Sequence, residues 1–140
     1  MTTLVVSSAA TWAMVGLIWM VQLVQYPMLA TYSALAPGDA AGEHQRRITW
    51  VVGPLMAAEG VTALILLVDR PDTMAASSAW IAALLLALAL GSTILVQVPL
   101  HGRLAEAHDN RAAQQLITTN WVRTAAWTTR GLVLACVLAT

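Results

Sequence analysis

The sequence predicts an all-α integral membrane protein, in which four transmembrane helices form a bundle in a single domain over residues 1–140. The chain is 59% hydrophobic and only 10% charged, and its mean hydropathy is +0.71, an apolar character that exceeds that of ordinary soluble domains. Crossing about 30 Å of hydrocarbon takes about 20 apolar residues in a helix. Four stretches meet this requirement, at roughly residues 4–26, 48–68, 78–98 and 119–139.

The first stretch, LVVSSAATWAMVGLIWMVQLVQ, has no basic segment before it and no A-x-A-like cleavage site after it. We therefore expect a permanent helix rather than a cleaved signal peptide. Pro27 and Pro99 follow the first and third stretches, where we expect the helices to end. The strings LVQYPML (23–29) and LVQVPLH (95–101) match, as do ITWV (48–51) and TNWV (119–122). These echoes favour two duplicated helical hairpins, although chance similarity between short apolar strings stays open.

The arginines predict the orientation in the membrane. Arg46 and Arg47 lie in the first loop and Arg103 and Arg111 in the third, whereas the second loop carries Arg70 alone. The positive-inside rule then places loops one and three in the cytoplasm and both termini outside the plasma (inner) membrane. The formal net charge of zero argues against a nucleic-acid partner. Membrane lipid is the expected surrounding, and a homo-oligomer is left open.

The fourth stretch carries polar residues on one face. Asn120, Arg123, Trp127 and Arg130 fall within a sector of roughly 80° at 100° per residue. This face should point into the bundle, because an arginine at the bilayer centre costs about 3 kcal/mol on insertion scales. Glu59 lies at the same expected depth as Arg130, which predicts an ion pair near the midplane.

Further polar residues cluster in the cytoplasmic half of the predicted spans. This asymmetry favours a polar pocket that opens toward the cytoplasm and binds a small lipophilic, aromatic or quinone-like molecule. Trp127 is a candidate to stack on a flat ligand, and His44 lies on the same side before the second span. The remaining candidate pocket residues are Gln22, Gln25, Gln97, His101, Asn120 and Arg123.

No cofactor is predicted. His44 and His101 are candidates to bind a metal ion or haem, but no single helix carries an H-x-x-H or E-x-x-H ligand pair. Cys136 is the only cysteine, which excludes an intramolecular disulfide and any dithiol mechanism.

Two motifs carry a family resemblance. QVPLHGRLA (97–105), followed by TNWVRTAAW (119–127), resembles the second half of the anthrone oxygenase-like superfamily of four-helix membrane proteins. Gln97 and His101 stand where that pattern has asparagines, and Trp121 lies on the other side of Asn120. The Q-x-P-L-H and N-W-x-R-T motifs are also similar to those of small four-helix bacterial membrane proteins of unknown function. This second resemblance implies a fold and no activity.

The first resemblance implies oxidation of a phenolic anthrone by O2 without a conventional redox cofactor. Glu59 would then serve as the base, while Arg123, Asn120 and Arg130 would hold the oxyanion and Trp127 would cover the ring. A tight pair between Glu59 and Arg130 would weaken that base. Two other classes stay open, a small proton-coupled transporter that uses Glu59 and a non-enzymatic membrane assembly subunit.

Overall fold

A computed structural model of the chain describes residues 1–35, 39–106 and 109–140, and the side chains of 33–41 lie outside the description. The described residues form four long helical rods and contain no strand. The first rod comprises α1 (Thr2–Met20), a π-helical segment (Val21–Gln25) and α2 (Tyr26–Leu35), and the second is α3 (Asp39–Val68). The third comprises α4 (Ala76–Ser92), a π-helical segment (Thr93–Gln97) and α5 (Val98–Glu106), and the fourth is α6 (Asn110–Leu138). The all-α class is confirmed.

The predicted helix boundaries are wrong at one end of every rod. The helices continue about two turns beyond the expected limits at residues 26, 48, 98 and 119. Hydropathy marks only the part of a helix that matches hydrocarbon, and these extensions are more polar. A helix can continue into water as long as its backbone hydrogen bonds are made, so polarity alone does not end it.

Pro27 and Pro99 lie inside the first and third rods rather than at their ends. A proline normally breaks an α-helix, because it lacks an N–H and its ring clashes with the carbonyl four residues back. Here the N–H groups just before the two prolines bond five residues back, from Tyr26 to the carbonyl of Val21 and from Val98 to that of Thr93. The wider π turn accommodates each proline without ending the rod. Both π segments end at the glutamine of the matching LVQ strings.

The rods form an antiparallel bundle in which each packs mainly against two neighbours. α1 packs against α3 and α6, and α4 packs against α6 and α3. Both termini lie at one end, called here the termini end, together with the 69–75 turn. The opposite end, which carries Arg46, Arg47, Arg103 and Arg111, is called the arginine-rich end.

Three rods are long and apolar enough to cross a membrane, over Thr2–Tyr32, Gly42–Val68 and Ala76–Glu106. This finding identifies a membrane protein. The prediction of four apolar spans holds for three of them, because α6 is long enough but carries buried polar residues that lower its hydropathy. Apolar side chains cover the outside of the bundle, with Trp50 81% and Val68 84% exposed, as expected of a surface that faces lipid.

Apolar and polar layers alternate along the bundle. An apolar cluster around Leu4 and Leu134 lies at the termini end, a second around Met14 and Ile18 lies in the middle, and a third around Leu104 lies at the arginine-rich end. Two layers of buried polar side chains separate these clusters. The polar layers contain most of the buried side chains that carry a charge or make hydrogen bonds.

α6 is anchored at both ends of its buried face. The Asp109 carboxylate caps its start by accepting the N–H groups of Arg111 and Ala112 at 2.9 and 3.1 Å. Near the other end, a Cβ atom on Gly131 would lie 3.3 Å from the Trp12 ring, so glycine permits the close approach of α6 to α1. These contacts set the height and the rotation of the helix that carries the predicted polar face.

Candidate functional site

The polar layer nearer the termini end centres on Glu59, which is fully buried. One carboxylate oxygen accepts the Thr11 hydroxyl at 2.7 Å, and the other accepts the Trp127 indole N–H at 2.9 Å. The Arg130 Nε atom lies 3.4 Å from the first of these oxygens. The predicted ion pair between Glu59 and Arg130 is therefore confirmed, and the carboxylate also accepts two hydrogen bonds.

Arg130 is also buried, and each nitrogen of its guanidinium group donates a hydrogen bond. Besides its ion pair with Glu59, it donates hydrogen bonds to the Thr11 hydroxyl at 3.1 Å, the Ser7 hydroxyl at 2.9 Å and the Ala82 carbonyl at 2.6 Å. This closed network joins all four rods and leaves neither charge unpaired. Buried ionic groups satisfied to this degree typically fix helix packing.

The second polar layer is a chain of hydrogen bonds nearer the arginine-rich end. Asn120 donates to Gln22 at 2.8 Å and accepts from Arg123 at 3.0 Å. Arg123 also donates to the Tyr26 hydroxyl at 3.4 Å, and that hydroxyl donates to Gln97 at 3.2 Å. The chain runs across the first, third and fourth rods. Unlike the Glu59 network, it contains no carboxylate.

A cavity of about 90 Å³ lies beside this chain and is lined by residues of all four rods. Its walls are mainly apolar, with Leu17, Ile18, Val52 and Val98 among them. The polar groups in the walls come from four different helices. They are Tyr26, His44, Gln45, Thr49, Thr93, Gln97, His101 and Arg123.

Two buried polar atoms in these walls have no hydrogen-bond partner, Nε2 of His101 and Nε of Arg123. Buried polar atoms are normally paired, so orphaned ones at a cavity indicate a site for another molecule. The other ring nitrogen of His101, Nδ1, bonds the Gln97 carbonyl at 2.8 Å. Arg123 also lies over the Trp127 ring, 5.3 Å from its centroid, and no described carboxylate is within salt-bridge distance of it.

His44 separates the cavity from a groove on the outside of the bundle. The groove has a volume of about 490 Å³ and shares His44 and Ile48 with the cavity. The His44 ring is stacked on that of His101 at 5.6 Å between centroids. Gln25 lies in the groove rather than in the cavity.

His44 and His101 do not suit a metal ion or a haem well, in the number of ligands or in the size of the cavity. A catalytic zinc site takes three protein ligands, and the described residues contain no group of three histidine, cysteine or acidic side chains that could hold a metal. A cavity of about 90 Å³ is also far below the roughly 300–1,000 Å³ of pockets for drug-sized ligands, so it does not enclose a haem. We derive no step through either group.

The structure divides the predicted site residues into two groups. Arg123, Gln97, His101 and His44 line the cavity, and Gln25 lines the adjoining groove. The others are fully or almost fully buried and are not among the described residues lining the cavity or the groove. Of these, Gln22 and Asn120 belong to the hydrogen-bond chain, and Glu59, Trp127 and Arg130 belong to the Glu59 network.

Tyr26 is a site residue that the sequence analysis missed. Its hydroxyl links Arg123 to Gln97, and its ring contacts His44 and His101 edge-on at 6.2 and 5.5 Å. A signal was present in the matching strings LVQYP and LVQVP, where Tyr26 stands opposite Val98. A phenol at a position where the repeat has valine marks a polar contact that only one copy makes.

No known protein family, curated protein or solved structure matches this chain. The features of this chain that point to a function are the cavity, its two unpartnered atoms and the groove beside it.

Proposed function

We propose that this protein lies in the plasma membrane and binds a small lipophilic molecule with an aromatic or quinol-like hydroxyl group in the cavity beside Arg123. The observation that carries the proposal is that two residues lining one cavity each have a buried atom without a partner, Nε2 in His101 and Nε in Arg123. Burying an arginine without a carboxylate partner is costly, so a bound oxygen atom is a natural partner for it.

The hydrogen-bonding roles of these two atoms narrow the ligand class. Because His101 Nδ1 faces a carbonyl, it must carry the hydrogen, which leaves Nε2 as an acceptor in the neutral ring. Arg123 Nε can only donate. A hydroxyl group suits either atom, since it can donate to the histidine and accept from the arginine. A phenol or a hydroquinone has this character, and the apolar walls suit its ring.

We propose an oxygenase activity as the chemistry that such a site would support, following the resemblance to the anthrone oxygenase-like superfamily. His101 Nε2 would take the hydroxyl proton, and Arg123 would hold the resulting oxyanion. O2, as the oxidant, would add to the ring carbon opposite this oxyanion to give a hydroperoxide. Loss of the C–H proton at that carbon and of one oxygen atom as water would leave the quinone. Glu59 is less suited to be the base than the sequence suggested, because its carboxylate already accepts two hydrogen bonds and pairs with Arg130. The same occupancy weighs against a transporter that carries a proton on Glu59.

The orientation follows the arginines. The arginine-rich end carries four arginines against one at the termini end, so we propose that it faces the cytoplasm. The cavity lies in the half of the bundle next to this end. A ligand would therefore bind in the cytoplasmic leaflet.

The proposal is tested by purification in mild detergent followed by mass spectrometry of the retained small molecules. Arg123→Gln and His101→Phe should each abolish retention of a molecule that the unmodified protein keeps. Arg111→Gln, which removes an exposed arginine from the same helix, is the matched control and should retain it. Consumption of O2 on adding the purified molecule tests the oxygenase step separately.

Arg123→Gln also removes the hydrogen bonds to Asn120 and Tyr26, each worth about 0.6 kcal/mol on average in a membrane protein. We therefore expect only a modest loss of stability. Retention that survives in both cavity variants, together with a large loss of stability in Arg123→Gln, would identify Arg123 as a packing residue and refute the proposal.

A further inference from the structure

We propose that the ligand is an amphiphile, whose hydroxyl head lies in the cavity and whose apolar tail passes His44 into the outer groove and on into the bilayer. This inference rests on the proposed function, since it assumes that the head binds at Arg123 and His101. It adds the shape of the ligand and the route by which the ligand reaches the site.

The size of the cavity requires a second compartment. An engineered cavity of about 150 Å³ in another protein accommodates benzene, whereas this cavity measures about 90 Å³. Because a hydroxylated ring is larger than benzene, even a single one would fill this cavity and press on its walls. Any larger lipophilic body must therefore extend out of the cavity, and a fused ring system would not fit inside without displacing the walls.

The groove is the compartment that adjoins the cavity. It has about 490 Å³, and His44 and Ile48 form walls of both spaces. His44 is only partly buried, and its ring contacts are to His101 and Tyr26 on the cavity side. A modest rotation of this side chain would join the two spaces.

The antiparallel register of the first and second rods gives the tail its direction. Met20 and Val51 lie deeper in the membrane than Gln25 and Arg47, because α1 runs toward the arginine-rich end and α3 runs away from it. The groove therefore has apolar walls on its membrane side and polar walls on its interfacial side. A tail leaving past His44 meets lipid along Met20 and Val51.

Charged side chains lie on the interfacial side of the groove. Glu43 pairs with both Arg46 and Arg47, and these groups lie where phospholipid headgroups are expected. An apolar tail would avoid that side. We infer that the ligand reaches the cavity laterally from the cytoplasmic leaflet rather than from the aqueous phase.

The test compares two probes that share a head. Radiolabelled phenol carries the head alone and 4-octylphenol carries the head and a tail, and binding is measured on the protein in nanodiscs above that of empty nanodiscs. Val51→Trp narrows the groove and should weaken the binding of 4-octylphenol at least about tenfold while leaving that of phenol unchanged. Val61→Trp, on the same helix, is the matched control and should change neither, since Val51 and Val61 are 52% and 59% exposed.

A photoreactive 4-octylphenol with a diazirine at the tail end gives an independent measurement. Its label should fall on the segments containing Met20 and Val51. The tail route would be overturned if 4-octylphenol bound equally to Val51→Trp and to the unmodified protein, or if the label fell on other segments. The cavity would still be supported in that case if the binding of phenol depended on Arg123. Failure of both probes to bind would overturn the cavity and the tail route together.

Discussion

The closed network around Glu59 makes a quantitative prediction about stability. Glu59→Gln removes the negative charge and leaves Arg130 as an uncompensated cation in a fully buried site. Breaking a buried pair by removing one partner costs about 3–5 kcal/mol. The amide also has one acceptor oxygen in place of two, so either Thr11 or Trp127 loses its acceptor. We expect the free energy of unfolding to fall by about 4 kcal/mol or slightly more.

Arg130→Gln should be the more damaging of the two changes. It strands the Glu59 carboxylate at a similar cost and also removes hydrogen bonds to Ser7, Thr11 and the Ala82 carbonyl. At about 0.6 kcal/mol each in a membrane protein, these bonds add roughly 2 kcal/mol. The double variant carries no stranded charge and should recover about 3 kcal/mol or more relative to the sum of the single effects.

Equilibrium unfolding in mixed micelles, driven by SDS and followed by tryptophan fluorescence, would measure all three free energies. Arg111→Gln controls for the loss of a positive charge at an exposed position of the same helix. Additive effects in the double variant would show that the two charges do not stabilise each other. A loss below about 1 kcal/mol in Glu59→Gln would also refute the reasoning, because it would mean that the stranded Arg130 is solvated.

Three further predictions concern the ends of the bundle and its closest helix contact. Asp109→Ala should lower the melting temperature at neutral pH, because it removes the carboxylate that caps α6. The N–H of Ala112 above all lowers the pKa of Asp109. The difference in melting temperature between the variant and the unmodified protein should therefore be complete above the ordinary carboxyl pKa of about 3.9 and vanish as the pH falls through the lowered pKa of Asp109. Gly131→Val should cost about 1–3 kcal/mol by pushing against the Trp12 ring, whereas Gly60→Val, where an added Cβ meets nothing within 4 Å, should cost much less in the same unfolding assay. In a Cys136→Ser background, a cysteine at Asp72 should react with impermeant reagents added to intact cells and a cysteine at position 111 should not; the reverse pattern would invert the proposed orientation.

The sequence was sufficient for the helical class and for the pairing of Glu59 with Arg130. Both depend on signals that a membrane makes strong, namely apolar length and the need of a buried charge for a partner at the same depth. The helix ends could not be predicted, because hydropathy says nothing about where a helix stops once it leaves the hydrocarbon.

The division of the polar residues between packing and cavity could not be predicted either. Asn120, Arg123, Trp127 and Arg130 share one face of α6, yet only Arg123 lines the cavity. Which of them meets a cavity depends on how the neighbouring rods fill the space opposite, and a helical wheel of one rod contains no such information. Trp127 shows this most clearly, since its indole N–H is taken up by Glu59 rather than left for a ligand.

The two π segments have a consequence for how the bundle keeps its two polar layers apart. Each segment adds a residue to its turn, so everything beyond it is out of phase by about 100° with the helix before it. In the first rod, Ser7 and Thr11 precede the phase shift and serve the Glu59 network, while Tyr26 follows it and serves the cavity. Deleting one residue from Val21–Gln25 would remove the phase shift and rotate Tyr26 toward lipid or a neighbouring rod, while leaving Ser7 and Thr11 in place. It would also place Pro27 in an ordinary α-helical turn, which its ring would kink. The rod thus behaves as two helices joined end to end, each with its own buried face. Substitutions that alter ligand binding in one of them need not disturb the packing of the other.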